Sequence, residues 1–148
     1  MARPLPTAQE VLDIRHDLLE YLADDDLDTL STRALAKVKI DLEDQRGGSV
    51  LWSQVWDADH NKYFVGYAGN TRNDGKIPRM IAYLDVSMTF RDYSIQNAEE
   101  DKWWGLAEYY MEQYEKMILT AKLDVDSDDS GTISEDEDAR TGQVFLNR

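Results

Sequence analysis

The chain contains no cysteine, which removes disulfides, thiol catalysis and thiolate metal sites together. Any metal it holds is therefore expected to be bound by oxygen. Long apolar runs are also missing, since no stretch approaches the roughly 18 residues that a membrane span requires. The N-terminal Met-Ala-Arg-Pro-Leu-Pro lacks the apolar centre of a secretory signal, so the expectation is a soluble protein made in the cytoplasm. Positive charge is scarce, with 16 Lys and Arg against 30 Asp and Glu, a formal balance of −14. Affinity for nucleic acid comes largely from cations that displace condensed counterions, so a polyanion should slide past this surface rather than bind it. Catalytic apparatus is thin as well. His16 falls in the polar register of the first helical pattern and His60 in a turn, with no nucleophile and orienter grouped around either. Gly47-Gly48 is too short to cradle a phosphate, and an enzyme is not expected.

What remains is a chain of 148 residues with 42% hydrophobic content, enough for one modest core. Thr7 and Glu10 form a capping box, and Val11, Ile14, Leu18 and Leu22 repeat at helical spacing, predicting a helix over 8–23. A second pattern, with Leu27, Leu30, Ala34, Val38 and Leu42 on one face, runs to a Gly47-Gly48 stop. Between 50 and 67, β-branched and aromatic residues flank the polar turn Asp57-Ala58-Asp59-His60-Asn61, which reads as a β-hairpin. Its Trp52 and Trp56 either form an exposed partner surface or fold back, with Phe64, onto the helices. Residues 69–76 have loop chemistry with an Asp-Gly turn. Pro78 suits the first position of a third helix over 78–93. Asn97 and Glu100 suggest a capped fourth helix with Trp103, Leu106, Tyr110, Tyr114, Met117 and Ala121 along one side. The expected fold is mainly α: a small four-helix bundle over 1–123 with an inserted hairpin, then a calcium loop and an extended C-terminal tail over 124–148.

The pattern with chemical content is Asp126-Ser-Asp-Asp-Ser-Gly-Thr-Ile-Ser-Glu-Asp-Glu137. Calcium prefers six to eight oxygens, and an EF-hand loop offers them from positions 1, 3, 5, 7, 9 and 12 with glycine at 6. Asp126, Asp128 and Ser130 would supply side-chain oxygens, Thr132 its carbonyl, Ser134 a contact through water, and Glu137 both carboxylate oxygens. Gly131 permits the sharp turn, and Ile133 would point to the core. Beginning instead at Asp124 puts Asp129 where glycine belongs, so only one register fits. The turn at 57–61 matches positions 1, 3 and 5 but has Lys62 at the glycine position and Ala68 at the glutamate position, and is read as a hairpin turn. A single loop whose outgoing helix is short, since Gly142 follows Glu137 by five residues, suggests a structural clamp, or a regulatory calcium-binding protein completed by a partner.

The order of these elements, with Ile77-Pro78-Arg79-Met80-Ile81-Ala82-Tyr83-Leu84, the stretch Phe90-Arg91-Asp92-Tyr93-Ser94, and the pairs Trp103-Trp104 and Tyr109-Tyr110, resembles the head-tail connector, or adaptor, proteins of long-tailed bacteriophages across 25–125. The resemblance implies a structural virion protein of the neck, forming a dodecameric ring on the portal and linking it to the stopper or tail. It also implies that the end of the chain, including Val144, Phe145, Leu146 and Arg148, docks on the portal, while the hairpin with Trp52 and Trp56 faces a neighbouring ring. DNA would pass the acidic channel unbound. The calcium loop is this chain's departure from the family's general pattern.

Overall fold

The computed structural model describes residues 4–22, 27–45, 50–97, 99 and 101–137. Helix α1, Ala8–Ile14, begins as its sequence dictates: Thr7 Oγ1 accepts from Glu10 N at 3.2 Å while Thr7 N donates to Glu10 Oε1 at 3.1 Å. It stops well short of residue 23. Arg15 turns to an extended conformation and binds Asp17 at 2.7 Å, and a 3₁₀ turn follows at Leu18–Glu20. The break pays in packing, since it buries Leu18 completely and sets the Tyr21 ring 4.8 Å from Trp103 and 5.3 Å from Phe90. Aromatic contact outweighs the helical periodicity here.

Helix α2, Leu27–Gln45, follows its predicted face, with Leu30, Ala34, Val38 and Leu42 buried. Its expected glycine stop lies outside the described residues. The hairpin survives only as a two-residue ladder, β1 Trp56–Asp57 against β2 Lys62–Tyr63, with Trp56 opposite Tyr63. The chain before it is a 3₁₀ turn at Trp52–Gln54. Trp56, Tyr63 and Phe64 are buried, and Trp52 stacks on Trp56 at 6.1 Å, so these rings close onto the helices. The expectation of Trp56 as an exposed partner contact is corrected by that packing; Trp52 remains half-buried beneath Lys39.

Helix α3, Arg72–Gln96, absorbs the expected loop and carries Pro78 inside it. Pro78 cannot donate to the Asp74 carbonyl, a loss that ordinarily interrupts a helix. The first turn is held from outside: buried Asn73 donates to the Asp124 carbonyl at 2.7 Å and accepts from Asp124 N at 2.8 Å. Helix α4 is Asp101–Thr120. Asn97 does not open it but caps the end of α3, donating from its backbone and side chain to the Tyr93 carbonyl at 3.0 and 3.1 Å.

The described residues are thus mainly helical, with four α-helices and one two-stranded sheet. None of these helices is long and apolar enough to cross a membrane. Helix α3 lies at the centre and contributes to two apolar clusters. One contains Val38, Leu42, Ile81, Tyr114, Ile118, Leu123 and Val125 with the hairpin rings. The other gathers Val11, Leu18, Val86, Phe90, Trp103 and Tyr110. A buried polar link crosses between helices, where Tyr114 donates to Asp41 at 2.7 Å and Lys37 meets the same oxygen at 2.8 Å.

Candidate metal centre

In an EF-hand the incoming helix, here α4, would lead directly into the loop. It ends instead at Thr120, and an extended stretch intervenes in which Leu123 and Val125 are fully buried. Asp124 and Asp126 are buried as well, so the whole segment is enclosed, with its two apolar side chains in the core. Four polar contacts fix the stretch to the body: both Asn73 bonds to the Asp124 peptide, the Arg72 guanidinium 3.3 Å from Asp124 Oδ1, and Asp126 N donating to the Gln54 carbonyl at 2.9 Å. The root of the loop is therefore carried by α3 and the hairpin segment.

The loop itself turns around two carboxylates. Asp126, 1% exposed, accepts from Gly131 N at 2.8 Å on one oxygen and from Ser130 N and Oγ at 3.1 and 3.2 Å on the other. Gly131 has φ +88°, the left-handed region that a residue without Cβ enters most easily. Glu137, 3% exposed, closes the other end within a 3₁₀ turn, Glu135–Glu137. One of its oxygens accepts from Ser127 N, from Ser127 Oγ at 2.9 Å and from Asp128 N at 3.2 Å. The other accepts from Ser134 N and Oγ, both at 3.0 Å. Ile133 is buried, as its position required.

All six expected ligand residues join this network. Asp126, Asp128 and Glu137 bring carboxylate oxygens within 4.8 Å of one another. Two oxygens on opposite sides of a calcium ion, each at about 2.4 Å, would be separated by about that distance. Ser130 Oγ lies 3.1 Å from the Thr132 carbonyl, which places the fifth and seventh positions side by side. Ser134 is tied to Glu137, in keeping with a contact to the ion through water. The donor set is hard oxygen throughout and fits calcium better than a softer transition metal.

The charges respond to these surroundings. Burial pushes the Asp126 carboxyl up, with the Gly131 N–H pulling the other way and neighbouring Asp128 adding to the rise. Asp128 is held low, first by the Ser130 side chain. Burial would also raise Glu137, but the N–H of Ser134, the hydroxyls of Ser127 and Ser134 and the N–H of Asp128 together hold it below the ordinary carboxylate range. A pair with opposed tendencies beside a low-lying acid suits a site completed by positive charge.

Three contributors escaped the motif. Asp124 was set aside as a ligand, yet its buried carboxyl and peptide anchor the loop. Ser127, at a non-ligand position, supplies two donors to Glu137. Gly66 lies so close that a Cβ there would stand 2.3 Å from Asp124 Oδ2. Only the last left a local trace, a lone glycine within an aromatic strand pattern. Asp57 spends its oxygens on His60, at 2.7 Å from Nδ1 and 3.3 Å from N, so the second acidic turn is a hairpin turn. A cleft of about 400 Å³ separates it from the loop, lined by Asp57, Asp59, Asp126 and Asp129 among others. Val144, Phe145, Leu146 and Arg148 lie outside the described residues.

No family model, no curated protein and no solved structure matches the chain.

Proposed function

We propose that this chain is a non-enzymatic structural protein whose residues 126–137 bind calcium through Asp126, Asp128, Ser130, the Thr132 carbonyl, Ser134 and Glu137. The observation that carries this reading is the convergence of three carboxylates on a loop whose root is pinned to the body by Asn73 and Gln54. A loop anchored in that way acts as a clamp, since α4 ends at Thr120 and the chain entering the loop is extended rather than a helix that ion binding could swing. The assembly we infer is the phage neck: a four-helix-bundle subunit of a homo-oligomeric connector ring, built in the host cytoplasm and carried in the virion. There the clamp aims the C-terminal segment at the portal, the opposite face meets the stopper or tail, and the acidic surface lets DNA pass unbound.

The calcium reading is tested by titration calorimetry and by limited proteolysis with and without the ion. Glu137→Gln should weaken calcium binding by about tenfold or more, because the ligand at the last position offers both oxygens and ligand charge sets affinity over decades. It should also speed cleavage within 124–148 while the helices remain folded. No heat at millimolar calcium in the unaltered protein would overturn the site. Mass photometry with a purified portal ring tests the assembly. A monomer or dimer that ignores the portal and changes shape with calcium would instead support a regulatory calcium-binding protein.

A further inference from the structure

Asp85 stands midway along α3 and is fully buried. Its helical neighbours divide between the two apolar clusters, Ile81 and Leu84 in one and Ala82 and Val86 in the other, so the carboxyl belongs to the waist between them. Oδ2 accepts from Ser31 Oγ of α2 at 2.5 Å, whereas Oδ1 has no hydrogen-bond partner. Thr89 reaches only the backbone carbonyl of Asp85. Nearby cations have other partners: Arg33 faces Asp92 at 4.0 Å, Lys37 binds Asp41, Lys39 lies over the Trp52 ring and Arg15 binds Asp17. On α4, Tyr110 stacks on Phe90. None of these charges acts on the Asp85 carboxyl, whose surroundings reduce to burial and one hydroxyl.

An ionised carboxylate in such a place would have one oxygen bare and its charge unopposed, an arrangement that proteins avoid. A neutral acid fits. In that form the roles reverse, Oδ2 donating to Ser31 Oγ, which as a hydroxyl can also accept, and the bare oxygen is then a carbonyl type, cheaper to leave unsatisfied than a charged one. We propose that Ser31 and Asp85 form a proton-operated latch between α2 and α3, closed while the carboxyl is neutral and released when the lost proton draws water in beside α2. Burial pushes the Asp85 carboxyl up to about 7, with the Ser31 hydrogen bond pulling it down. The folded chain then binds a proton that the unfolded chain has already released above the ordinary carboxylate range. Stability is accordingly greatest in mild acid, declines as pH rises to about 7 and levels off above it. The latch is independent of the calcium loop and stands or falls without it.

The experiment follows thermal unfolding and amide exchange of the full chain between pH 5 and 8 in excess chelator, for the unaltered protein and for Asp85→Asn. The unaltered protein should lose on the order of 5 °C in midpoint across that range, with α2 amides exchanging roughly tenfold faster relative to α4 at the upper end. In Asp85→Asn that difference should vanish. Equal pH slopes in the two proteins would overturn the latch. Should Asp85→Asn fail to fold, the Asp85 carboxyl carbon resonance in the unaltered chain decides: a midpoint near 7 sustains the proposal and one near 4 ends it.

Discussion

Around Phe90 the structure is made of rings: Trp103 stacks on it at 5.9 Å, Tyr110 at 6.2 Å, and Tyr21 tilts against it at 5.3 Å. Around Glu137 it is made of donors, five N–H and O–H groups on two oxygens. The first region is held by removing apolar area from water, the second by hydrogen bonds to a charge, each of which contributes about 1.5–3 kcal/mol only while the charge persists. Their pH dependences run in opposite senses. The Glu137 carboxyl is held low, so its contribution is present above the ordinary carboxylate range and is lost as pH falls through the lower value of the folded state. The body, through Asp85, gains in the same direction. Two parts of one chain can thus loosen under different conditions.

The largest break in that comparison is Phe90→Ala. Phe90 is fully buried, and its removal should cost about 3–5 kcal/mol in urea unfolding. Calcium affinity of the molecules that stay folded should hardly change, because the loop is rooted in the other cluster, beside Leu123 and Val125. An affinity that fell with stability would mean the two regions are one cooperative unit. Gly66→Ala probes the joint between them. The new Cβ would meet a short side chain already held by Arg72, so the Asp124 carboxylate must move, at about 1–3 kcal/mol. Here stability and calcium affinity should drop together; a change below about 0.5 kcal/mol in the one and none in the other would show that Asp124 is not a rigid anchor.

Legibility in the sequence follows the same division. The turn of the loop was readable because its determinants are local: the left-handed Gly131, the buried Ile133 and the convergence of Asp126, Asp128 and Glu137 all follow from spacing along twelve positions. Helix α2 was readable because one apolar stripe decides it. Errors arose where distant partners overrule local preference. Tyr21 turns the chain away from a longer α1 to reach Trp103 and Phe90. Asn73 carries the start of α3 back past Asp74-Gly75 and Pro78 by binding a peptide that lies far along the chain. Leu123 and Val125 unwind the end of α4 into an extended segment because they are wanted in the core. Trp56 pairs across from Tyr63, a pattern that shows aromatic residues but not which way the ladder faces. The contacts of Tyr21 and Asn73 join residues far apart in the chain, so no local window announces them.

The smallest expected effect separates charge from geometry within the loop. Asp129 is exposed, lies at the fourth loop position and has φ +58°. Asp129→Gly relieves a left-handed strain of about 1 kcal/mol, which Asp tolerates better than most residues, but it also gives the unfolded chain more freedom. These terms oppose each other, and stability should change by less than about 0.5 kcal/mol. The substitution removes one negative charge, as Glu137→Gln does, yet it takes that charge from a side chain outside the ligand set and in contact with screening solvent. Calcium affinity should therefore fall by less than about threefold, against tenfold or more for Glu137→Gln. Equal losses in the two variants would mean that the loop collects cations through its acidity alone, and that the hydrogen-bonded arrangement around Asp126 and Glu137 does not select the ion.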